Sequence, residues 1–199
     1  MVREVRVYVE GGGDSRDSKD AIRKGFRHLF QKVGIGAQVI ACGRRDKAFK
    51  DWKLALFSHP DAFNLLLVDA EGAVREGSSS WNHLKTTDPS WQPPLLSEEH
   101  CHLMVQVMEA WFIADPEALA AYYGQRFGAS ALPGRQNVEE IPKGEVESSL
   151  KSATKRTQKG EYHKIRHASD LLARIDPAKV RKRAPHCERL LTTLANVGA

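Results

Sequence analysis

Two apolar runs in this chain each end in a carboxylate and a glycine turn. Val5-Arg6-Val7-Tyr8-Val9 leads into Glu10-Gly11-Gly12-Gly13-Asp14, and Leu65-Leu66-Leu67-Val68 leads into Asp69-Ala70-Glu71-Gly72. A short apolar run stopped by turn residues reads as a strand, and a continuously apolar one as a strand buried on both faces of a parallel sheet. Ligands of such sheets bind outside the carboxyl ends of the strands. The two runs therefore bring their acids to one place. Clustered carboxylates resist joint ionisation. A hard divalent cation, Mg²⁺ or Mn²⁺, removes that conflict because it takes oxygen ligands. The pattern predicts metal-dependent chemistry on phosphate.

The segments between these strands alternate in character. After the first strand (5–9), Asp14 or Ser15 can cap a helix. Ile22, Phe26, Leu29, Phe30 and Val33 then recur at three- and four-residue steps, the mark of an amphipathic helix. Strands are expected over 37–41, 63–68 and 103–107, with a helix over 46–58. This alternation predicts an α/β fold, a Rossmann-like parallel sheet with helices on both faces. Segment 72–99, with its Ser, Gly and Pro clusters, reads as a long loop. Loops of that length are commonly functional; Trp81 and Trp91 are expected in core or lid packing ahead of stacking on bases, and a lid over a closed pocket is the form a phosphohydrolase would need. Beyond 116–123, helices are expected over 145–154, 165–175 and 178–194, the last broken at Pro185. Residues 1–125 thus form an α/β metal-binding core, and 126–199 a basic helical extension packed on the same core.

At 199 residues the chain suits one compact domain. The three cysteines, Cys42, Cys101 and Cys187, are odd in number and far apart, which argues against a disulfide framework. His100-Cys101-His102 would point to opposite faces of a strand and makes a poor zinc site. No apolar run approaches the roughly 20 residues a membrane span needs, and no signal-peptide pattern is present, so a cytoplasmic, membrane-free protein is expected. The net charge is +5, and lysines and arginines crowd the stretch from Lys143 to Arg189. A basic half beside an acidic cluster suits a polyanionic partner: nucleic acid, DNA ahead of RNA.

The residues that carry this pattern resemble the toprim fold, the catalytic domain of topoisomerases, primases and several nucleases. Glu10-Gly11 is similar to that family's first glutamate turn. Asp69-Ala70-Glu71 is similar to its Asp-x-Asp motif, with Glu in place of the final Asp. Small bacterial toprim-like proteins of unknown function share more: Val9-Glu10-Gly11, Val68-Asp69-Ala70-Glu71-Gly72, Met108-Glu109-Ala110-Trp111, Tyr162-His163-Lys164 with His167-Ala168, and Ile175-Asp176-Pro177. The resemblance implies a metal-dependent nuclease fold, often encoded beside an ATPase partner in anti-phage or mobile-element settings.

Roles follow from position. Asp69 and Glu71 are two apart, so a strand period puts them on one side as metal ligands. Glu109, where the fourth strand gives way to helix, can complete the set. Glu10 is a further ligand or the general base for water. Gly11, Gly12 and Gly13 let a phosphate approach and offer backbone N–H groups. His163, Lys164 and His167 can contact phosphate or stabilise developing charge. Asp14 and Asp115 are weaker candidates, Asp115 being more simply a helix cap before Pro116. The absence of a Gly-Lys-Ser/Thr ending excludes a P-loop. Three classes remain open: a nuclease, a non-catalytic subunit that docks an ATPase, and a small-molecule phosphohydrolase with a closed pocket.

Overall fold

The computed structural model describes residues 4–94 and 98–198. The first three residues, positions 95–97 of the long connection and the final residue of the helical half lie outside the described residues. Four strands, β1 (Val5–Glu10), β2 (Ala37–Gly43), β3 (Phe63–Asp69) and β4 (Cys101–Met104), form one sheet in the order β2-β1-β3-β4. Every pairing is parallel. All seven residues of β3 are buried, as its unbroken apolar run predicts. Together with the helices around the sheet, this is a Rossmann-like α/β fold.

The two faces of the sheet are covered differently. Helix α1 (Arg16–Gln31), capped by the Ser15 side chain on the Ser18 N–H at 3.1 Å, packs with Val5, Val7, Val9, Leu65 and Leu67. Helix α2 (Arg45–Ser58) covers the other face, where Trp52 meets Tyr8, Leu66 and Val68. The chain thus leaves β1 toward β2 on one side and enters β3 on the other. The crevice between β1 and β3, at their carboxyl ends, is the switch point where such folds bind ligands. Glu10 and Asp69 are the last residues of those two strands.

The long connection after β3 holds α3 (Ser80–Thr87), capped by Ser79. This corrects the expectation of a structureless lid. Trp81 is buried 5.2 Å from Trp52, and Trp91 stacks on Phe49 at 4.2 Å. Both tryptophans bury apolar area against α2 instead of offering a face to bases. Strand β4 also starts and ends earlier than 103–107. Val105 and Val107 stay buried after the chain has left the sheet, so apolar sequence outlasts the strand.

The rest is helical: α4 (Ala110–Ile113), α5 (Pro116–Tyr123), α6 (Lys143–Thr154), α7 (Lys164–Arg174), α8 (Pro177–Arg183) and α9 (Pro185–Gly198). Leu150, Leu171, Leu191 and Leu194 join the same core as α1 and the sheet. The approach of α1 to α7 depends on Gly25, where a Cβ would fall 2.7 Å from the Ser169 carbonyl oxygen. That crossing sets the N-terminus of α7 beside the carboxyl ends of the strands. Among the described residues, no helix is long and apolar enough to cross a membrane.

Candidate metal centre

The carboxylates converge because three connections are tied together at the sheet's carboxyl end. After β3, the Ala70 N–H donates to the Met104 carbonyl (2.9 Å) and the Glu71 N–H to the Gln106 carbonyl (2.8 Å). Glu71 sits at φ +64°, a left-handed conformation that costs a non-glycine residue about 1–2 kcal/mol. These tethers hold it there, and they turn its side chain toward Asp69 and Glu10. Single carboxylate oxygens of Glu10, Asp69 and Glu71 all lie within 4.8 Å of one another. Glu109 precedes α4 and adds a fourth acid beside Asp69 through a shared cation, Lys164.

Each acid is held by a distinct set of donors. Asp69 is 3% exposed, accepts the Met108 N–H at 2.8 Å on Oδ1 and receives Lys164 Nζ at 3.3 Å on Oδ2. Glu109, also buried, accepts the Tyr162 hydroxyl at 3.0 Å on Oε1 and lies 3.3 Å from Lys164 Nζ. Glu10 Oε2 accepts the Asp69 N–H at 3.1 Å and Arg45 Nη1 at 3.4 Å. Arg45 also donates to the Asp69 carbonyl and grips Asp88, with Nη2 to Oδ2 at 2.8 Å. Lys143 pairs with Glu71.

The donors do not balance the acids. Burial, then the neighbouring Asp69 charge, pushes the Glu10 carboxyl up to about 7, against the pull of Arg45. Burial raises Asp69 to about 6, with Glu109 and Glu71 adding to it and Lys164 and the Met108 N–H opposing it. Lys164 shows the reciprocal effect. Burial lowers its ammonium, and Asp69 and Glu109 more than offset that, leaving it raised and charged. An acidic set with raised protonation and hard oxygen donors within reach of one point is what a divalent cation neutralises. The donor set fits Mg²⁺ or Mn²⁺.

The other predicted residues fall in different places. The Gly11 N–H donates to the Gly43 carbonyl at 2.8 Å in an isolated antiparallel bridge beyond the end of β1, so this amide is not turned to an anion. Gly12, at φ +88°, lets α1 come close: a Cβ there would lie 2.8 Å from the Lys19 Cα. Gly13 packs against Ile165 of α7. Asp14 is exposed, and Ser15 makes the cap. His163 is exposed at the start of α7. His167 is buried, and its Nδ1 meets the Tyr123 hydroxyl at 3.0 Å and the His163 N–H at 3.1 Å. Its expected phosphate contact gives way to this packing among tyrosines. Asp115 caps α5 on the Ala118 N–H and takes Lys179 at 3.0 Å, which makes it a structural acid.

The basic half is also divided. Arg183 donates to the carbonyls of Ile113, Ala114 and Arg135, and Arg189 to Ser80 and Cys101. These cations tie the fold together. Lys143, Lys151 and Lys164 instead rim a cavity of about 430 Å³ beside the cluster. Sequence reasoning missed Arg45, Lys143 and the Tyr162–Glu109 bond. Arg45 stands two residues beyond the carboxyl end of β2, beside β1, and that position was a usable signal. Lys143 has no local signal, since only the fold brings α6 to Glu71.

The profile of a family described as a domain of unknown function (DUF4276) matches residues 9–195. No curated protein and no solved structure matches the chain.

Proposed function

The chain belongs to the DUF4276 family, and we propose that it is a Mg²⁺- or Mn²⁺-dependent toprim-like phosphodiesterase that hydrolyses nucleic acid. The observation that carries this reading is the approach of Glu10, Asp69 and Glu71 within 4.8 Å at the switch point of a parallel sheet. Asp69 and Glu71 would hold the cation, with Glu10 beside them. When bound, the ion supplies charge neutralisation at the phosphate oxygens and acidifies the attacking water.

The chain's own groups do the rest. Two donors fix Glu10 Oε2, so Oε1 is the oxygen that takes the proton from water. Burial and the Asp69 charge raise Glu10; a cation held by Asp69 would offset that charge and so would favour the ionised carboxylate that accepts the proton. Lys164 stays charged and stabilises the negative charge that develops on phosphate. Glu109 positions Lys164, and the Tyr162 hydroxyl positions Glu109.

A second reading, a docking subunit of an ATPase partner, draws on the exposed pair Leu54 and Phe57 on α2, 66% and 82% exposed. Two exposed apolar side chains one helical turn apart would give such a partner a small apolar foothold. It combines with the first reading if the partner delivers the nucleic acid. The resemblance to toprim-like proteins encoded beside ATPases supports such a pairing and an anti-phage or mobile-element role.

The test is cleavage of labelled plasmid, linear and single-stranded DNA, and RNA, with Mg²⁺ or Mn²⁺. Cutting by the wild type that Asp69→Ala and Glu10→Ala both lose supports the phosphodiesterase. Cutting that survives both substitutions contradicts it.

A further inference from the structure

The cavity beside the carboxylates has an apolar floor, Val107, Val146 and Tyr162, and a charged rim in which Lys143, Lys151, Lys164 and His163 outnumber the acids Glu109 and Glu147. Its volume, about 430 Å³, falls among small-ligand sites. Two of the rim lysines connect it to the cluster, Lys143 through Glu71 and Lys164 through Asp69. The third, Lys151, pairs with Glu147 at 2.9 Å on an exposed face of α6.

We propose that this cavity binds one nucleoside monophosphate unit, with its phosphate among the lysines and its base on the apolar floor. The proposal rests on the phosphodiesterase reading for the nature of the anion, and it narrows the substrate to an unpaired or terminal nucleotide. A cation rim with an apolar floor complements a charged group joined to a flat ring, and neither free phosphate nor a nucleoside uses both. A base stacked inside a duplex cannot enter such a cavity without being flipped out, which carries an energetic penalty.

The salt bridges add a coupling. Lys143 is engaged by Glu71, and Lys164 by both Asp69 and Glu109. A divalent cation on Glu71 and Asp69 would compete with both lysines, freeing Lys143 toward the cavity and leaving Lys164 on Glu109 at its edge. Metal and nucleotide therefore strengthen each other's binding, and the effect is reciprocal.

The experiment is calorimetric titration of the full chain with adenosine 5′-monophosphate, adenosine and inorganic phosphate, with and without Mn²⁺. The monophosphate is expected to bind about 10-fold or more tightly than either fragment, and more tightly with Mn²⁺ than without. Two exposed positions outside the cluster give opposite signs. Lys151→Glu weakens the monophosphate about 10-fold, and Glu147→Gln, which frees Lys151, tightens it by up to about fivefold. Both variants keep wild-type Mn²⁺ binding. A single-stranded hexanucleotide that displaces the monophosphate, where its blunt duplex does not, assigns the unit to a nucleic-acid end. A hexanucleotide that fails to displace it overturns the assignment to an unpaired or terminal nucleotide of nucleic acid. Monophosphate binding no tighter than phosphate, or unchanged in Lys151→Glu, overturns the proposal. The Mn²⁺ titration alone reports on the metal centre, so the two failures are separable.

Discussion

Asp69 and Asp115 lie in two regions of the molecule, each shielded from solvent and each paired with a lysine. Their exposures are 3% and 2%, and each lies within 3.3 Å of a lysine ammonium, Lys164 for one and Lys179 for the other. Their protonation moves in opposite directions. At Asp115, burial pushes the carboxyl up, and the N–H of Asp176, Lys179 and the N–H of Ala118 pull it further down, so it ends lowered. At Asp69, burial wins, and the value rises to about 6 with Glu109 and Glu71 pushing the same way. Burial and one ion pair are thus compatible with either a structural acid or a metal ligand. Heavier desolvation, with like charge added, distinguishes the strand tip from the helix junction, where the N–H groups of Asp176 and Ala118 join Lys179 on one carboxylate.

The largest expected difference lies in activity. Asp69→Asn lowers metal-dependent hydrolysis by more than the about 100-fold that loss of an outer-shell partner costs. Asp115→Asn leaves the rate per folded molecule unchanged. Initial rates on labelled DNA and RNA, normalised to folded protein, measure both.

Stability inverts that order. Asp115→Ala strips the Ala118 and Asp176 N–H groups and Lys179 of their acceptor, a loss of about 2–4 kcal/mol. Asp69→Asn relieves repulsion and leaves the ion-free protein as stable as the wild type or more so. Chemical denaturation without metal resolves the pair. A strongly destabilised Asp69→Asn would break the comparison.

The pH dependence separates the two regions by sign. Asp115 is lowered from 3.8, so its contribution is present above that value and is lost as pH falls through its folded value. Glu10 and Asp69 are raised from 4.5 and 3.8 to about 7 and about 6. Their folded forms bind the proton more tightly, so ion-free stability declines as pH rises from about 4 to 7. Mg²⁺ restores stability at the upper end, where the acids are ionised and free to take it. Thermal melts across this range, with and without Mg²⁺, show both slopes; Asp69→Asn flattens the upper one.

The smallest effect is at Lys143. Its pair with Glu71 is partly exposed, and such pairs contribute up to about 1 kcal/mol. Lys143→Ala is expected to shift the denaturation midpoint by no more than that while reducing substrate affinity.

The site was legible in the sequence where its signal is local. Glu10 and Asp69 end apolar strands, a signal that needs only a few neighbouring residues, whereas Glu71 lies beyond β3 in a left-handed turn and reaches the cluster through its tether to Gln106, not through strand period. The parallel sheet followed from the same alternation. Helix α3 was not legible because its apolar face is short, Trp81 and Leu84, and lies between Ser- and Pro-rich stretches. The end of β4 was misread because burial continues through Val105 and Val107 after pairing stops. Arg45, Lys143 and the inward turn of His167 depend on which helices meet. That is decided by contacts such as Gly25 against Ser169, far apart in sequence.

The most direct test of the central claim is Mn²⁺ titration followed by electron paramagnetic resonance, on wild type and Asp69→Asn verified as folded. The account predicts saturable uptake by the wild type that the substitution abolishes. A folded wild type that takes up no Mn²⁺, or a variant that takes up as much, would contradict it.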